Sequence, residues 1–339
     1  MNRFIITCLT AIIMIGMLSS LSYCQVKWAQ TGFNFLSVSS DAKAGAMGDA
    51  VNSLIGYSGA LYHNPATMAE MPSLLNANFS INSWIADIKY LTFSMIVSPA
   101  SGNYGVVGIS VQSVDYGDVQ GTMVWNNSKG YIDTEVMKPS ALAVGVGYAI
   151  MLSNQFGVGG QVRFAYQSLG KSVVPVTGTN SYTTKQNVAN TVAYDFGTIY
   201  KTGIKSLAFG MSIRNFSKDV TYEQEAFQLP LLFTLGISAD LLDFIGSAGP
   251  NHSLMLFLDS THPRSHPEQI KIGAEYQFHK LISLRAGYIS SDSEDGVTYG
   301  FGVSSSGLGV SPVNFDVDYS YTPFGVFNNV HRISVSLIM

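Results

Sequence analysis

Apolar and polar residues alternate along most of the chain from about Leu74 to the C-terminus. Alternation with a period of two is typical of β-strands whose two faces meet different surroundings. It is clear at Ile270–Phe278, where apolar or small residues fill the even positions and polar residues or glycine fill the odd ones. The segments Phe156–Gln167 and Val313–Tyr321 repeat it. The pattern therefore predicts a chain built mainly of strands.

The alternating runs predict fourteen strands with lengths near ten residues. They lie near residues 74–83, 86–98, 103–115, 140–151, 155–168, 189–201, 205–216, 230–240, 253–260, 267–278, 281–290, 296–305, 312–322 and 329–339. A tilted strand needs about 9–11 residues to cross a bilayer, whereas strands of soluble sheets average about 5–6. We therefore predict an all-β fold: a transmembrane antiparallel β-barrel of about 14 strands.

The links between the predicted strands are short and long in turn, as in bacterial barrels with short periplasmic turns and longer outer loops. The short links lie at 152–154, 202–204 and 279–280. The long polar links lie at about 116–139, 169–188 and 217–229, with a shorter member at 291–295. Two links break the rule: the first is very short, and 241–252 is long on the periplasmic side and a candidate for a helical turn.

Composition separates the barrel from a soluble β-sandwich, which also alternates. Only 12% of the residues are charged, against about 25% in an average soluble domain. No apolar run after the N-terminus approaches the roughly 20 residues of a spanning helix. Together with strand number and length, the low charge favours a barrel whose partner is outer-membrane lipid.

The first 24 residues predict export. A basic start at Arg3, an apolar stretch over 4–18 and a cleavage site after Cys24 are typical of a secretory signal peptide. A transmembrane anchor and a lipoprotein acylated at Cys24 are the alternatives. Both cysteines of the chain, Cys8 and Cys24, lie in this segment, so cleavage leaves a mature chain without cysteine chemistry. We expect location in the outer membrane of a Gram-negative bacterium.

Residues 25–73, here called the plug segment, are rich in small residues and show no sustained period. Because they precede a barrel over 74–339, we predict that they fold into its lumen. Ser39–Ala50 offers a helix start at a Ser or Asp cap, and Asn before Pro starts a turn. The structural or gating candidates are Asp41, Gly45, Gly48, Asp49, Asn64 and Pro65.

Charged residues on the polar face of the strands are predicted to point into the lumen. They are Arg163, Arg214, Lys271, Glu275, Arg285, Asp316 and Asp318. One interpretation is that they pair with each other and with the plug segment. The other is a polar conduit or docking face.

The residues give little reason to expect catalysis. His262 and His266 form the only close pair among six histidines, and two ligands fall short of the three or four of a zinc site. The chain has no G-x-S-x-G, P-loop or H-E-x-x-H pattern, each of which carries chemistry. We predict no metal, no cofactor and no enzyme, with a barrel hydrolase as the alternative. A net charge of −4 offers no surface for nucleic acid.

Several segments resemble the PorV/PorQ family, which is related to the FadL-type fatty-acid transporter barrels. The N-terminal ones are 33–36, 41–50 and 61–66. The later ones are 214–216, 229–231, 261–263, 267–269, 318–321 and 324–325. The resemblance therefore extends over nearly the whole mature chain.

This resemblance implies a plugged fourteen-stranded barrel in a Bacteroidetes-type outer membrane. It also implies a part in type IX protein secretion, with secreted cargo proteins or subunits of the type IX machinery as partners. The alternative is a FadL-like channel that takes up small hydrophobic molecules, with such a ligand or a detergent in the lumen. A plain structural barrel is the third interpretation.

Overall fold

A computed structural model describes residues 31–175, 182–222, 225–246, 249, 251–290, 296–308 and 313–339. The predicted signal peptide, the fate of Cys24 and the link 291–295 lie outside these residues. Within the described part of the chain, every helix is too short or too polar to span a bilayer.

Fourteen antiparallel strands close into one barrel. Numbered along the chain with four shorter strands outside the barrel, they are β1 Leu75–Ser83, β2 Lys89–Val97, β3 Val106–Asp115, β6 Ser140–Met151, β7 Phe156–Pro175, β8 Tyr182–Lys201, β9 Ala208–Ser217, β12 Leu232–Asp240, β13 His252–Pro263, β14 Gln269–Phe278, β15 Ile282–Ser290, β16 Val297–Ser304, β17 Asn314–Pro323 and β18 Asn329–Ile338. Each pairs with its neighbours in sequence order, and β18 closes the barrel onto β1. The predicted fold class is confirmed.

The long polar links contain strands that the alternation did not predict. The first holds a hairpin of β4 Val119–Val124 and β5 Tyr131–Met137, and the third holds β10 Val220–Thr221 and β11 Ala226–Phe227. In the second, β7 and β8 continue past their predicted ends at 168 and 189. These extensions lie beyond the apolar band, and residues 182–186 are all exposed. Strands with water on both faces carry no alternation, so the pattern could not reveal them.

The two faces of the wall differ as the alternation predicts. On β7, Val162 and Phe164 point outward and are about half exposed, whereas Gln161 and Arg163 point inward and are 3% exposed. Large apolar side chains occupy the outward positions of the other barrel strands as well. The outer face is therefore matched to lipid and the inner face to polar contents.

Two short α-helices lie outside the wall strands. The plug segment carries α1, Ala42–Ala46, within the stretch where a helix start is predicted. The link after β12 begins with α2, Leu241–Ile245, so the helical turn predicted for this link is present.

The two ends of the barrel differ. The hairpins β4–β5 and β10–β11, the end of β7 and the start of β8 lie at one end, here called the loop end. The opposite end, the turn end, holds short links at 152–155, 202–207 and 279–281 and the last residue, which bonds Leu75. The longer link that contains α2 also lies at the turn end, as predicted.

A charge at mid-height on the outer face should destabilise the barrel. We expect Val162→Lys to lower the free energy of unfolding in lipid vesicles by about 2–4 kcal/mol, because lysine there is buried in hydrocarbon. The measurement is guanidinium unfolding followed by tryptophan fluorescence. Val124→Lys, on the 86% exposed tip of β4, is the control and should change it by less than about 0.5 kcal/mol. Equal effects of the two substitutions would contradict the outward orientation of this face.

Candidate functional site: the plugged lumen

The described part of the plug segment, residues 31–73, runs through the lumen from the loop end to the turn end. At the loop end, Thr31 lies beside Gln228 in a parallel bridge, and the Gly32 amide donates to the Gln228 carbonyl at 3.1 Å. At the turn end, Glu70 forms an ion pair with Lys201 of β8. Between these points most plug residues are buried. The segment therefore fills the lumen along its length.

Helix α1 is held in place by its cap and by the wall. The Asp41 side chain accepts from the Ala44 amide at 3.3 Å and from the Ser334 hydroxyl at 3.1 Å. Ser334 of β18 in turn accepts from the Ala42 amide at 2.8 Å. Burial raises the pKa of Asp41, with nearby Asp318 as a second cause. The predicted Asp cap is thus also a contact between plug and wall.

Glycines form a band on the inner face of the wall where the plug segment touches it. A Cβ at Gly159 would lie 2.7 Å from the Ala66 amide nitrogen, and one at Gly147 would lie 2.7 Å from the Leu61 side chain. Only glycine permits such close approach. The band comprises Gly108, Gly147, Gly159, Gly197, Gly210, Gly236, Gly273, Gly287 and Gly300.

The two glycine candidates of the plug segment also lie against the wall. Gly45 of α1 packs against the Arg332 side chain of β18. Gly48 has φ +62 and lies against the Tyr288 backbone of β15. A larger residue at either position would push the plug away from the strands.

The glycine-rich stretches 157–160 and 300–302 do not open the wall. Glycine weakens a strand, but both stretches pair continuously with their neighbours. The ladder shifts register elsewhere, between Ser168 and Gly170 on β7 and between Tyr194 and Phe196 on β8, where the shift leaves a bulge against β9.

The Asn64–Pro65 turn joins the plug segment to the wall and to itself. The Asn64 side-chain amide donates to the Asn52 carbonyl at 2.8 Å and to the Thr198 carbonyl of β8 at 3.0 Å. Its oxygen accepts from the Ala66 amide at 3.1 Å, and Pro65 opens a 3-10 turn over Pro65–Ala69. Asn64 therefore satisfies three backbone groups at once, two in the plug segment and one on β8.

Three of the predicted lumen charges form one buried cluster with a lysine of the plug segment. Arg285 bonds to Glu275 and, at 2.5 Å, to Asp318. Lys43 of α1 approaches Glu275 at 3.7 Å. Asp316 lies apart from these ion pairs, half-buried and nearer the turn end. The cluster supports the interpretation that lumen charges pair with each other and with the plug segment.

A second buried cluster contains two residues that sequence reasoning missed. Arg163 pairs with Asp195 at 2.7 Å and also donates to Asn215. Asp195 accepts from the Asn215 backbone amide at 2.7 Å, which holds the β8–β9 bulge, where Asn215 has φ +63. Asp195 was detectable as the one carboxylate between two aromatics of an alternating strand. Arg214, beside this bulge, donates to the Tyr62 carbonyl of the plug segment.

A polar cavity of about 30 Å³ lies in the middle of the lumen. Its lining includes Asp49, His63, Asp259, Lys271 and Arg214. One oxygen each of Asp49 and Asp259 and the Nε2 atom of His63 are buried there without a partner among the described residues. A polar space of this size has room for about two ordered waters.

The cavity shifts the titration of two plug residues. Burial opposes ionisation of Asp49, but Lys271 and Arg332 outweigh it and hold the pKa of Asp49 below its ordinary value. Burial, with the nearby Arg214 charge, lowers the pKa of His63 to about 3. His63 is therefore neutral at pH 7, beside an ionised Asp49.

Above this cavity, near the loop end, lies an apolar chamber that the plug segment fills. Phe33, Phe35 and Leu36 pack into it and are at most 3% exposed. Phe33 has φ 56, and a bulky residue in this left-handed region is strained. Inward alanines of β6, β7 and β8 line part of the chamber, together with larger apolar residues. The alanines are Ala141, Ala143, Ala165, Ala189 and Ala193, and the larger residues are Tyr90, Val114, Val220 and Leu229.

The described residues hold no group of three or more His, Cys, Asp or Glu side chains placed to bind a metal ion. The two histidines of the close pair have separate partners: His262 lies beside Glu268 at 2.8 Å, whereas His266 bonds to Ser265. The lumen therefore has two parts. Near the loop end lies an apolar chamber that the plug segment fills, and below it the charged side chains of plug and wall form ion pairs.

Comparison with solved structures identifies barrels of the same fold. The toluene transporter TodX of Pseudomonas putida has a TM-score of 0.57 and 12% identity, covering 93% of this chain and 98% of that one. A FadL homologue of Pseudomonas aeruginosa has a TM-score of 0.54 and 11% identity, covering 88% and 97%. A TodX deletion mutant described as a monoaromatic hydrocarbon channel has a TM-score of 0.53 and 13% identity, covering 87% and 97%.

At these identities the likeness establishes the fold alone, a closed fourteen-stranded transmembrane barrel that is shared over most of each chain. No family model matches the sequence, and no curated protein is similar to it.

Removing the Asn64 side chain should loosen the plug segment. Asn64→Ala leaves two buried carbonyl groups without their donor, and we expect a loss of about 1–3 kcal/mol in the stability of the plug. The measurement is hydrogen exchange of plug amides in detergent, with planar-bilayer conductance as a second readout. Asn127→Ala in the exposed β4–β5 link is the control. Unchanged exchange and unchanged conductance would show that this turn does not hold the plug.

Acid should weaken the plug through His63. Its folded pKa lies below its unfolded value of about 6.5, so the unfolded state binds the proton first and stability falls as the pH drops below 6.5. The loss approaches about 1.4 kcal/mol per pH unit. We expect His63→Gln, which stays neutral, to show a flatter dependence of plug exchange on pH between about 6.5 and 4. Parallel pH profiles for the two proteins would contradict a neutral, buried His63.

Proposed function

We propose that this barrel resides in the outer membrane of a Gram-negative bacterium and admits small hydrophobic molecules from the outside, without being an enzyme. The observation that carries the proposal is the apolar chamber near the loop end. Phe33, Phe35 and Leu36 occupy it, as an apolar ligand would. An apolar pocket is the feature that hydrophobic uptake requires.

The fold supports this function over type IX secretion. The toluene transporter and the hydrocarbon channel share the barrel and its length, and long loops of such barrels face outward. Placing the loop end outside puts the chamber where a hydrophobic molecule arrives first. Monoaromatic hydrocarbons are therefore the substrate class to test.

Uptake requires the plug segment to move at its loop end. The chamber is full, and the cavity below it is polar. The wall offers no side opening at β3, because this strand pairs continuously with β2 and β6. The turn over Asn34–Ser37 is short and follows strained Phe33, and such strain costs about 1–2 kcal/mol per residue. Displacement of this turn by a ligand relieves the strain and opens the chamber, while the ion pairs below keep the rest of the plug seated.

Docking of secreted proteins is the second candidate, as the PorV/PorQ resemblance suggests. It is favoured by the hairpin β4–β5, which exposes Val124, Trp125 and Tyr131 at the loop end. The Trp125 ring lies 5.7 Å from that of Tyr182 on β8. Exposed aromatic clusters of this kind are enriched in protein interfaces.

Deletion of the gene in the host separates docking from hydrophobic uptake. Accumulation in the periplasm of proteins with type IX signals supports docking, and their normal arrival at the surface supports uptake.

Emptying the chamber should increase binding of apolar ligands. We expect the double variant Phe33→Ala, Phe35→Ala to bind N-phenyl-1-naphthylamine more tightly than the wild type, because the dye fills the space that the rings leave. Binding is measured by dye fluorescence in detergent. Phe164→Ala, on the outer face of β7, is the control and should leave binding unchanged. If the double variant folds, as judged by heat resistance in detergent, and binds no more dye, the chamber is only a packed core.

A further inference from the structure

Helix α2 belongs to the long link at the turn end, which the uptake mechanism does not use. Its cap is Asp240, whose side chain accepts from the Leu242 amide at 2.9 Å and from the Leu254 amide at 3.1 Å. Gly246 ends the helix with φ 75. The helix is therefore a built element fixed to the ends of β12 and β13.

One face of α2 is apolar and exposed. Leu241, Phe244 and Ile245 stand at positions i, i+3 and i+4, which share one face of a helix. All three are exposed, and Ile245 is 63% exposed, whereas Leu242 and Asp243 on the other face are half-buried. A soluble link has no reason to present such a stripe to water.

The exposed stripe continues the lipid-facing surface of the wall. Leu235 and Ile237 point outward on β12. Leu241, the first residue of α2, is an odd-numbered position like them and is also exposed. Phe209 of β9, the register partner of Ile237, lies at the same height and also points outward. The stripe and the outer face therefore form one surface.

Lys205 fixes the helix from the neighbouring turn. Its ammonium group donates to the Asp243 carbonyl at 2.6 Å and lies 5.1 Å from the centre of the Phe244 ring. Ile204, beside it, is exposed as well. A basic group next to an aromatic and an apolar stripe is the composition of helices that lie in the headgroup region of a bilayer.

We propose that α2 is an interfacial anchor, with Leu241, Phe244 and Ile245 lying in the phospholipid of the leaflet at the turn end. The occupant is lipid because the stripe is continuous with the lipid-facing wall. This inference rests on membrane residence of the barrel and is independent of what the barrel carries. It assigns a role to the long link that interrupts the series of short turns.

Spin labels in the full chain, with Cys8 and Cys24 replaced by alanine, test the anchor. Single cysteines are introduced by Ile245→Cys, by Val162→Cys as the reference in lipid and by Ile55→Cys as the matched control. Ile55 is also an exposed isoleucine at the turn end, but it lies in the plug segment and lines an open groove of about 920 Å³. Power saturation in phosphatidylethanolamine and phosphatidylglycerol vesicles compares access of oxygen, which enters lipid, with access of a water-soluble nickel chelate.

We expect the ratio of oxygen to nickel access at 245 to be several-fold higher than at 55 and close to that at 162. A ratio at 245 equal to that at 55, with 162 in lipid, overturns the anchor alone. If 162 is also open to nickel, the barrel is not in the membrane and the proposed function falls with the anchor. Shielding at 245 that appears only at high protein-to-lipid ratio identifies a second copy of this chain as the occupant and overturns the proposal.

Discussion

Charged side chains on the inward face of the wall require partners, and the rest of the structure depends on how they are supplied. A buried charge without a partner costs several kcal/mol. Arg285 meets its two carboxylates on the wall itself, and Lys43 of the plug segment approaches one of them. Arg214 and Arg332 bond to backbone carbonyls of the plug segment. Wall and plug therefore depend on each other for a stable lumen.

The close fit between the plug segment and the barrel wall follows from this mutual dependence. Hydrogen bonds between plug and wall need short distances, and the glycine band allows the plug backbone to approach the strands. At Gly159 the wall lies so near Ala66 that any side chain would collide. Several ion pairs and hydrogen bonds hold the middle and the turn end. At the loop end, apolar packing of Phe33 and Phe35 is joined by hydrogen bonds from the Gly32 amide to Gln228 and from Gln112 to the Phe35 carbonyl. Under the proposed uptake function, this division lets a ligand displace the plug at one end and leave the other end closed.

The alternation predicted the barrel because lipid and a polar lumen impose opposite chemistry on the two faces of each strand. It therefore located all fourteen barrel strands, and β6 has its predicted bounds of 140–151. It missed β4, β5 and the outer parts of β7 and β8, which have water on both faces. In the lumen, Asn215 was missed because its pairing depends on a bulge that no local pattern encodes. Asp195 was missed although its place between Tyr194 and Phe196 on an alternating strand could have revealed it. The chamber was missed because alanines on an inner face look like ordinary small residues until Phe33 and Phe35 are seen against them.

The most direct test of the central claim is entry of radiolabelled toluene into vesicles that contain the wild-type barrel, recorded together with ionic conductance across planar bilayers of the same lipid. A plugged barrel with a ligand-opened chamber should speed toluene entry above that of vesicles containing a barrel of unrelated function, while ionic conductance stays at the level of the lipid alone. Toluene entry no faster than in those control vesicles would contradict hydrophobic uptake, and steady ionic conductance would contradict a seated plug.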